Sequence, residues 1–204
     1  PNLAVGNTVV WKPSEKTPLS SLYIAETCFA DLPPGTLNLV LGDGPNAGEH
    51  ILENDDIDVI VFVGSERTGR HIAEVCGRNI KKLILELGGK DPLIVDETVD
   101  VAAAARLAAQ ATYANAGQIC TSTERLYVQR GIFEQFRDEL SKISMSIKLG
   151  NGLDDGIQMG PLVDDLQLEK VSAQINDALK RGAEAATGGA PLNRTGFFFP
   201  PTVL

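Results

Sequence analysis

The feature that most constrains the fold is an uninterrupted apolar strand followed by a helix and a second strand. Asp58 to Val63 reads Asp-Val-Ile-Val-Phe-Val and is apolar at every position after the first, a pattern typical of a buried strand in a parallel sheet. Glu66 to Arg78 then predicts a helix, and Lys82 to Leu87 predicts the next strand. Because strand–helix units of this spacing pair their strands in parallel, the sequence predicts an α/β fold with a doubly wound parallel sheet.

Further strands and helices are predicted on both sides of this unit. On the N-terminal side we expect a strand over Asn7–Trp11, a helix from Pro18 to about Phe29 with Thr17 as N-cap, a strand over Leu37–Leu41, and a helix reaching about Glu53. On the C-terminal side we expect helices over Val99–Tyr113, Ile132–Lys148 and Leu166–Arg181, a strand over Arg125–Val128, a loop over Gly150–Gly160, and short strands near Glu184–Ala186 and Phe197–Leu204. The sequence predicts a domain boundary near Gly88-Gly89.

Composition excludes several classes of protein. The net charge of −9 argues against a partner such as nucleic acid or an anionic membrane, which would require a basic face. Three widely spaced cysteines and two histidines form neither a disulfide framework nor a zinc pattern, so we predict no metal. Thiols kept reduced in a cytoplasm are the simplest account, and no apolar run approaches the ~20 residues that span a bilayer.

Two short motifs carry residues that suit one kind of chemistry. Leu85-Glu86-Leu87-Gly88-Gly89-Lys90 places a carboxylate at the end of an apolar strand, and Gly117-Gln118-Ile119-Cys120 places a thiol in a loop of small and polar residues. A thiolate can attack a carbonyl, and a carboxylate can then activate a water against the resulting thioester. The structural alternative for Glu86 is an N-cap or a surface carboxylate. Cys28 and Cys76 have apolar neighbours in predicted helices, and we interpret both as small core residues.

Two glycine-rich turns resemble nucleotide-binding motifs without matching them. Gly64 to His71 has the spacing of a P-loop, but Arg70 and His71 stand where lysine and serine or threonine are required. Gly42 to Gly48 departs from the G-x-G-x-x-G fingerprint by one extra residue before the last glycine. An ordinary strand–helix turn is the alternative interpretation for Gly42 to Gly48, and the missing lysine and serine or threonine argue against an NTPase at Gly64 to His71.

Five segments, in this order, resemble the NAD(P)-dependent aldehyde dehydrogenase family over essentially the whole chain. The segments are Asn7 to Glu15 with its Lys-Pro-Ser-Glu, Pro34 to Val40, Phe62 to Ser65, Glu86 to Lys90, and Gly117 to Cys120. Val63 departs from the family, which has threonine in its Phe-Thr-Gly-Ser turn. The resemblance implies a Rossmann-like coenzyme domain that lacks the usual fingerprint. Two glycine-rich turns that only approximate nucleotide-binding motifs are consistent with such a domain.

The resemblance also implies a mechanism. Cys120 would attack a small aldehyde to give a thiohemiacetal, hydride would pass to the nicotinamide, and Glu86 would activate the water that hydrolyses the thioester. Relatives that transfer the acyl group to coenzyme A characteristically lack this glutamate, so its presence favours the free acid as product. Lys12 and Glu15 would hold the adenosine ribose. Because a carboxylate there repels a 2′-phosphate, NAD is favoured over NADP; two solvated charges at a strand end are the alternative.

The resemblance assigns the remaining roles by position. Coenzyme contacts are expected at Lys12, Glu15, Gly44, Gly48, Gly64, Ser65, Gly69 and Leu87. Residues 1–88 would be part of the NAD-binding domain and residues 89–204 part of the catalytic thiol domain of a homo-oligomeric enzyme. The family's oxyanion asparagine would precede Pro1, and its Glu-x-x-Phe-Gly-Pro segment would follow Leu204, so we expect a central piece of a longer enzyme. A nucleotide-binding module without turnover and a noncatalytic remnant are the alternatives.

Overall fold

The strands of the protein pair in parallel, each pair joined by a helix. A computed structural model describes residues 1–204, which divide into two compact units, Pro1–Gly88 and Gly89–Leu204. Six strands form three two-stranded parallel sheets, and each sheet is one β–α–β unit. The predicted α/β class with parallel strands is therefore confirmed. The units divide at the glycine pair where the sequence predicts a boundary, and the functions assigned to the two parts stay predictions.

Two β–α–β units make up the first compact unit. Its elements are β1 (Val9–Trp11), α1 (Pro18–Cys28), β2 (Leu37–Leu39), a π-helical turn (Gly44–Gly48), α2 (Glu49–Glu53), β3 (Val59–Gly64), α3 (Glu66–Arg78) and β4 (Lys82–Leu87). The bounds of α3 and β4 agree with the sequence prediction. Strand β1 pairs with β2, and β3 pairs with β4.

The second compact unit has one β–α–β unit followed by two long helices. Its elements are β5 (Asp91–Val95), α4 (Val101–Tyr113), a 3-10 turn (Ala114–Gly117), β6 (Thr123–Val128), α5 (Phe133–Ser146) and α6 (Asp165–Lys180). The sequence prediction missed β5. Pro92 argues against a strand because it cannot donate to a ladder, and the structure accommodates it with a register shift between Asp91 and Pro92.

One face of the β3–β4 sheet packs against helix α3. Ile60, Phe62, Leu83 and Leu85 lie against a buried cluster of Leu52, Ile72, Val75 and Cys76. The alternate side chains of β3 lie on the other face, where Val61 is 51% and Val63 is 71% exposed. The prediction that β3 is buried is therefore wrong for four of its six residues, because only one face of the sheet is packed against α3.

Small residues on α4 build the core of the second unit. Ala105, Ala108 and Ala109 recur at helical spacing and are almost fully buried, together with Phe136 and Leu140 of α5. Alanine side chains let a neighbouring helix approach closely, and their high helix propensity stabilises α4. This core therefore fixes the end of α4, from which the chain enters the loop that carries Cys120.

Two further predictions differ from the structure, and the N-cap prediction for α1 is correct in position only. Thr17 occupies the N-cap position of α1, but its side chain makes no capping hydrogen bond. The short strands expected near residues 184–186 and 197–204 are absent as strands; the segment has one isolated antiparallel bridge between Thr187 and Val203. Cys28 is exposed, so its interpretation as a core residue is wrong, whereas Cys76 is buried as predicted.

Candidate active site

Cys120 lies in an exposed loop between α4 and β6, directly after an unusual backbone turn. Asn115, Ala116 and Gly117 have φ values of 51°, 55° and 76°, so three consecutive residues are left-handed. Residues other than glycine adopt this conformation at a cost of about 1–2 kcal/mol each. Such strain persists only where the surrounding structure holds it, and it is concentrated at functional sites.

Side-chain hydrogen bonds hold this loop on both sides of the thiol. Gln118 Nε2 donates to Asn115 O at 3.0 Å, and Gln118 Oε1 accepts from the backbone N–H of Val163 at 3.0 Å. Ser122, which is 5% exposed, donates from Oγ to Thr112 O at 3.0 Å. The loop is thus tied to the end of α4 and to a distant part of the chain while Cys120 itself stays accessible. The sequence prediction did not identify Ser122 or the contact to Val163.

Glu86 lies near the carboxyl end of β4, opposite Val63 of β3 in the parallel register. Its side chain is exposed, on the face of the sheet that α3 does not cover. No hydrogen bond or ion pair to another group of the protein restrains its carboxylate. Because β5 follows β4, the alternative interpretation of Glu86 as an N-cap is wrong. An unrestrained carboxylate is free to accept a proton from a bound water.

Lys12 and Glu15 come together just after β1. Lys12 Nζ lies 3.8 Å from Glu15 Oε2 and donates hydrogen bonds to Pro13 O at 2.6 Å and Gly42 O at 3.0 Å. The Lys12 side chain is 20% exposed, whereas the Glu15 side chain is 48% exposed. Lys12 is therefore a fixed part of the turn at Gly42, and the Glu15 carboxylate remains accessible for accepting hydrogen bonds.

The turn that contains Gly44 and Gly48 is braced by Asp43. Its carboxylate accepts from Asn46 N at 2.8 Å and from Asn46 Nδ2 at 2.9 Å. These two hydrogen bonds, with a smaller contribution from the positive charge of Lys12, lower the pKa of Asp43. Gly48 also lies beside Lys12, since a Cβ there would be 3.7 Å from Lys12 Cδ. The structure thus brings Lys12, Glu15 and this turn together within the first unit.

The N-terminus of α3 brings together the remaining predicted coenzyme residues. Gly64 ends β3, and Ser65 caps α3 by accepting a hydrogen bond from Thr68 N at 3.2 Å. A Cβ on Gly69 would lie 2.7 Å from Leu87 Cδ2, so α3 packs closely on the end of β4 at a residue that has no side chain. Close helix–strand packing of this kind is the role of the third glycine in dinucleotide-binding folds.

The three thiols differ in their surroundings. Cys76 is 1% exposed in the core of the first unit, and burial raises the pKa of its thiol, with a smaller opposing effect of Lys81. Cys28 and Cys120 are both exposed. Only a thiolate is a strong nucleophile, so Cys76 is unsuited to catalysis.

A pocket lies beside the Gly44–Gly48 turn, two of whose residues line it. This pocket of about 430 Å³ lies in the first unit, and none of the predicted coenzyme residues lines it. Its lining consists of Val10, Val40, Leu41, Asn46, Ala47, His50, Ile51, Asn54 and Ile57.

No three His, Cys, Asp or Glu side chains converge to hold a metal ion. No helix has both the length and the apolar character needed to cross a membrane.

Comparisons with known proteins agree over the whole chain. A family model described as "Aldehyde dehydrogenase family" matches residues 1–204. The chain is 42% identical over 206 residues to "Aldehyde dehydrogenase, mitochondrial" of Leishmania tarentolae, an alignment that covers 100% of this chain and 41% of that protein. It is 40% identical over 205 residues to a succinate-semialdehyde dehydrogenase [NADP(+)] of Escherichia coli (strain K12), covering 100% of this chain and 42% of that protein.

A solved structure shows the same similarity in three dimensions. The NAD+ complex of an aldehyde dehydrogenase from Bacillus cereus matches with a TM-score of 0.94 and 42% identity, covering 98% of this chain and 41% of that chain. The chain therefore spans about two fifths of the length of the proteins it resembles. Both NAD and NADP occur in the names of these relatives.

Proposed function

The chain belongs to the aldehyde dehydrogenase family, and we propose that it supplies the coenzyme-binding and thiol residues of an enzyme that oxidises a small aldehyde to a carboxylic acid with NAD. Pro1–Gly88 serves as the coenzyme-binding part and Gly89–Leu204 as the thiol-bearing part. The enzyme works as a homo-oligomer in a cytoplasm that keeps its thiols reduced. The observation that carries this proposal is the exposed Cys120 on a strained, hydrogen-bonded loop in a chain that matches the family throughout.

Cys120 performs the covalent step. Its thiolate forms a C–S bond with the aldehyde carbon, and the carbonyl oxygen takes up a proton to give a thiohemiacetal. A bound nicotinamide would supply the hydride acceptor, and loss of the hydride from this carbon together with the hydroxyl proton would leave a thioester on Cys120. The loop contributes orientation, since a thiol held in one geometry reacts as if at a high effective concentration.

Glu86 performs the hydrolytic step. Its carboxylate takes a proton from a water molecule as that water attacks the thioester carbon, and the Cys120 thiolate then leaves. The free carboxylic acid is released, and the proton passes to solvent. The absence of any protein group bonded to Glu86 supports this role, because a base that is already ion-paired has to break that interaction before it can act.

Lys12 and Glu15 provide the coenzyme specificity. The accessible Glu15 carboxylate accepts hydrogen bonds from the ribose hydroxyls of NAD and repels the 2′-phosphate of NADP. Because a relative is named for NADP, this point needs a direct test. In the protein that carries this chain, Glu15→Gln should weaken NAD binding and reduce the preference for NAD over NADP, as measured by titration of both coenzymes. An unchanged preference would refute the role of Glu15.

The catalytic roles are tested by variants of the two reacting residues in the protein that carries this chain. Cys120→Ala should abolish NADH formation from the first turnover, whereas Cys28→Ala, which removes another exposed thiol, should leave it unchanged. Glu86→Gln should slow hydrolysis more than acylation, so intact-protein mass spectrometry should detect an acyl adduct on Cys120. Normal aldehyde oxidation by Cys120→Ala would overturn the mechanism.

A nucleotide-binding module without turnover is the second candidate, favoured by the clustering of Lys12, Glu15 and the Gly44–Gly48 turn within one unit. The wild-type protein separates the two candidates. Saturable NAD binding together with no NADH formation from any of several aldehydes would establish the module, and NADH formation that requires Cys120 would establish the enzyme.

A further inference from the structure

The side chain of Gln118 uses both ends of its amide near the thiol, two residues before Cys120. Its Nε2 donates to Asn115 O, and its Oε1 accepts from Val163 N, each at 3.0 Å. A glutamine amide can serve as donor and acceptor at once, which no charged side chain of similar length does. One side chain thus joins the strained turn to a segment that lies 45 residues further along the chain.

The first of these contacts closes the strained turn. Besides the bond from its side chain, Gln118 donates its backbone N–H to Asn115 O at 3.2 Å, and Asn115 Nδ2 donates back to Gln118 O at 3.3 Å. The two residues therefore clamp Ala116 and Gly117 between them in the left-handed conformation. Without such bonds, an alanine at a φ of 55° would relax towards ordinary backbone geometry.

The second contact fixes the turn to a part of the unit that is itself well held. Leu162, next to Val163, is 6% exposed, and its backbone N–H donates to Phe197 O at 2.9 Å. Val163 itself is 50% exposed, but its neighbour Leu162 is buried and bonded, and a hydrogen bond next to such a residue restrains position whereas one to a free loop would not. The loop that carries Cys120 is thus hydrogen-bonded to a segment that contains the buried residue Leu162.

We propose that Gln118 is a positioning residue, which holds the Cys120 thiol in its reactive geometry by tying the left-handed Asn115–Gly117 turn to Val163. The kinetic part of this proposal rests on the proposed function. Gln118 does not touch the substrate in this role; it acts through the backbone that carries Cys120. Losing it should therefore reduce turnover without altering coenzyme binding, because the predicted coenzyme residues all precede Gly88.

The test compares three variants of the protein that carries this chain. Gln118→Met keeps the length of the side chain and removes the two hydrogen bonds of the side-chain amide, to Asn115 O and from Val163 N. Gln118→Glu keeps the acceptor for Val163 N–H and removes the donor to Asn115 O. Gln158→Met is the matched control, since Gln158 Oε1 also accepts a backbone N–H in the second unit, from Lys148 at 3.1 Å.

Two measurements test this role, and the split between kcat and the coenzyme KM is the one that a merely structural glutamine would not produce. Gln118→Met should lower kcat for aldehyde oxidation roughly 10–100-fold, as expected for a misplaced reacting group, with KM for the coenzyme within about twofold. Amide hydrogen exchange at Val163 should accelerate about fivefold or more, as expected for one lost hydrogen bond. Gln118→Glu should retain more activity than Gln118→Met, and Gln158→Met should match the parent protein in both measurements.

Iodoacetamide labelling controls for the thiol itself. It should modify Cys120 in Gln118→Met at a rate within about threefold of the parent rate, because the thiol stays exposed and chemically competent. An unchanged kcat in Gln118→Met, or an equal loss in Gln158→Met, would overturn the proposal. If the parent protein oxidises no aldehyde, the proposed function fails by itself. Exchange at Val163 then decides whether Gln118 fixes the loop, and unchanged exchange in Gln118→Met would refute that as well.

Discussion

Gly69 of helix α3 provides a sharp test of how the first unit is packed. A Cβ at this position would lie 2.7 Å from Leu87 Cδ2 and 3.1 Å from Leu87 Cδ1. Carbon atoms in ordinary contact are about 3.5–4.0 Å apart, so Gly69→Ala requires the helix or the leucine to move by roughly 1 Å. Gly77 lies in the same helix, is exposed, and has nothing within 4 Å of the corresponding Cβ.

The two alanine substitutions share one energy term and differ in the other. Replacing a helical glycine by alanine stabilises by about 0.8–1 kcal/mol through backbone entropy, and this gain applies to both positions. Overpacking at a buried site costs typically 1–3 kcal/mol, and this cost applies at Gly69 only. Gly77→Ala should therefore stabilise the unit slightly, while Gly69→Ala should be about 1–3 kcal/mol less stable than Gly77→Ala.

Urea unfolding followed by tryptophan fluorescence measures this difference in the first unit. Trp11 is the only tryptophan of the chain and lies in β1. With a slope of about 1–2 kcal/mol/M, a difference of about 2 kcal/mol separates the two midpoints by roughly 1–2 M. Equal midpoints for the two variants would refute the packing argument.

Three further predictions concern the thiols and the second unit. Iodoacetamide should modify Cys28 and Cys120 in the folded protein and leave Cys76 unmodified until the protein unfolds; peptide mass spectrometry that finds Cys76 equally modified would contradict its burial. Burial raises the pKa of Tyr113 above 10.0, so its contribution to stability is complete below pH 10 and is lost as pH rises through the folded-state pKa. Urea midpoints should therefore fall in that alkaline range, and a Tyr113→Phe variant with the same alkaline loss would exclude this cause. Ala116→Gly should stabilise by roughly 0.5–1 kcal/mol, since removal of a left-handed cost of about 1–2 kcal/mol outweighs the added chain entropy; a lower urea midpoint would show that the turn is not strained.

Local sequence patterns predicted the elements of the fold well, because each depends on nearby residues. The helix at Glu66–Arg78 and the strand at Lys82–Leu87 follow from the alternation of strand and helix signals after the apolar run, and both have the predicted bounds. The burial of β3 was not predictable in the same way. An apolar run indicates that both faces of a strand can be covered, but whether they are covered depends on segments that a local pattern does not identify. The strand Asp91–Val95 is not predicted by the sequence, because a register shift between Asp91 and Pro92 accommodates the proline.

In the candidate site, too, local motifs identify some residues, whereas other contacts depend on tertiary structure. The Glu86 and Cys120 motifs mark residue types and chemistry, and a cysteine among small residues is correctly expected to be accessible. The hydrogen bond from Val163 to Gln118 joins residues far apart in sequence, and no local pattern predicts it. Nor does the sequence show that Ala116 is left-handed, since alanine rarely adopts that conformation. The reacting residues can therefore be recognised from the sequence. The contacts that position the Cys120 thiol depend on tertiary structure and cannot.

The two exposed cysteines show why exposure alone does not identify a nucleophile. Cys28 ends α1, and its apolar neighbours predict a core position, yet Tyr23 is 69% and Leu19 is 77% exposed on the same helix. Apolar neighbours predict burial only when another element packs on them, as the β3–β4 sheet does on Cys76. Cys28 and Cys120 will therefore both react with a small alkylating reagent. What separates them is the strained turn and the hydrogen bonds before Cys120, so reactivity assigned to Cys120 has to be measured in a Cys28→Ala background.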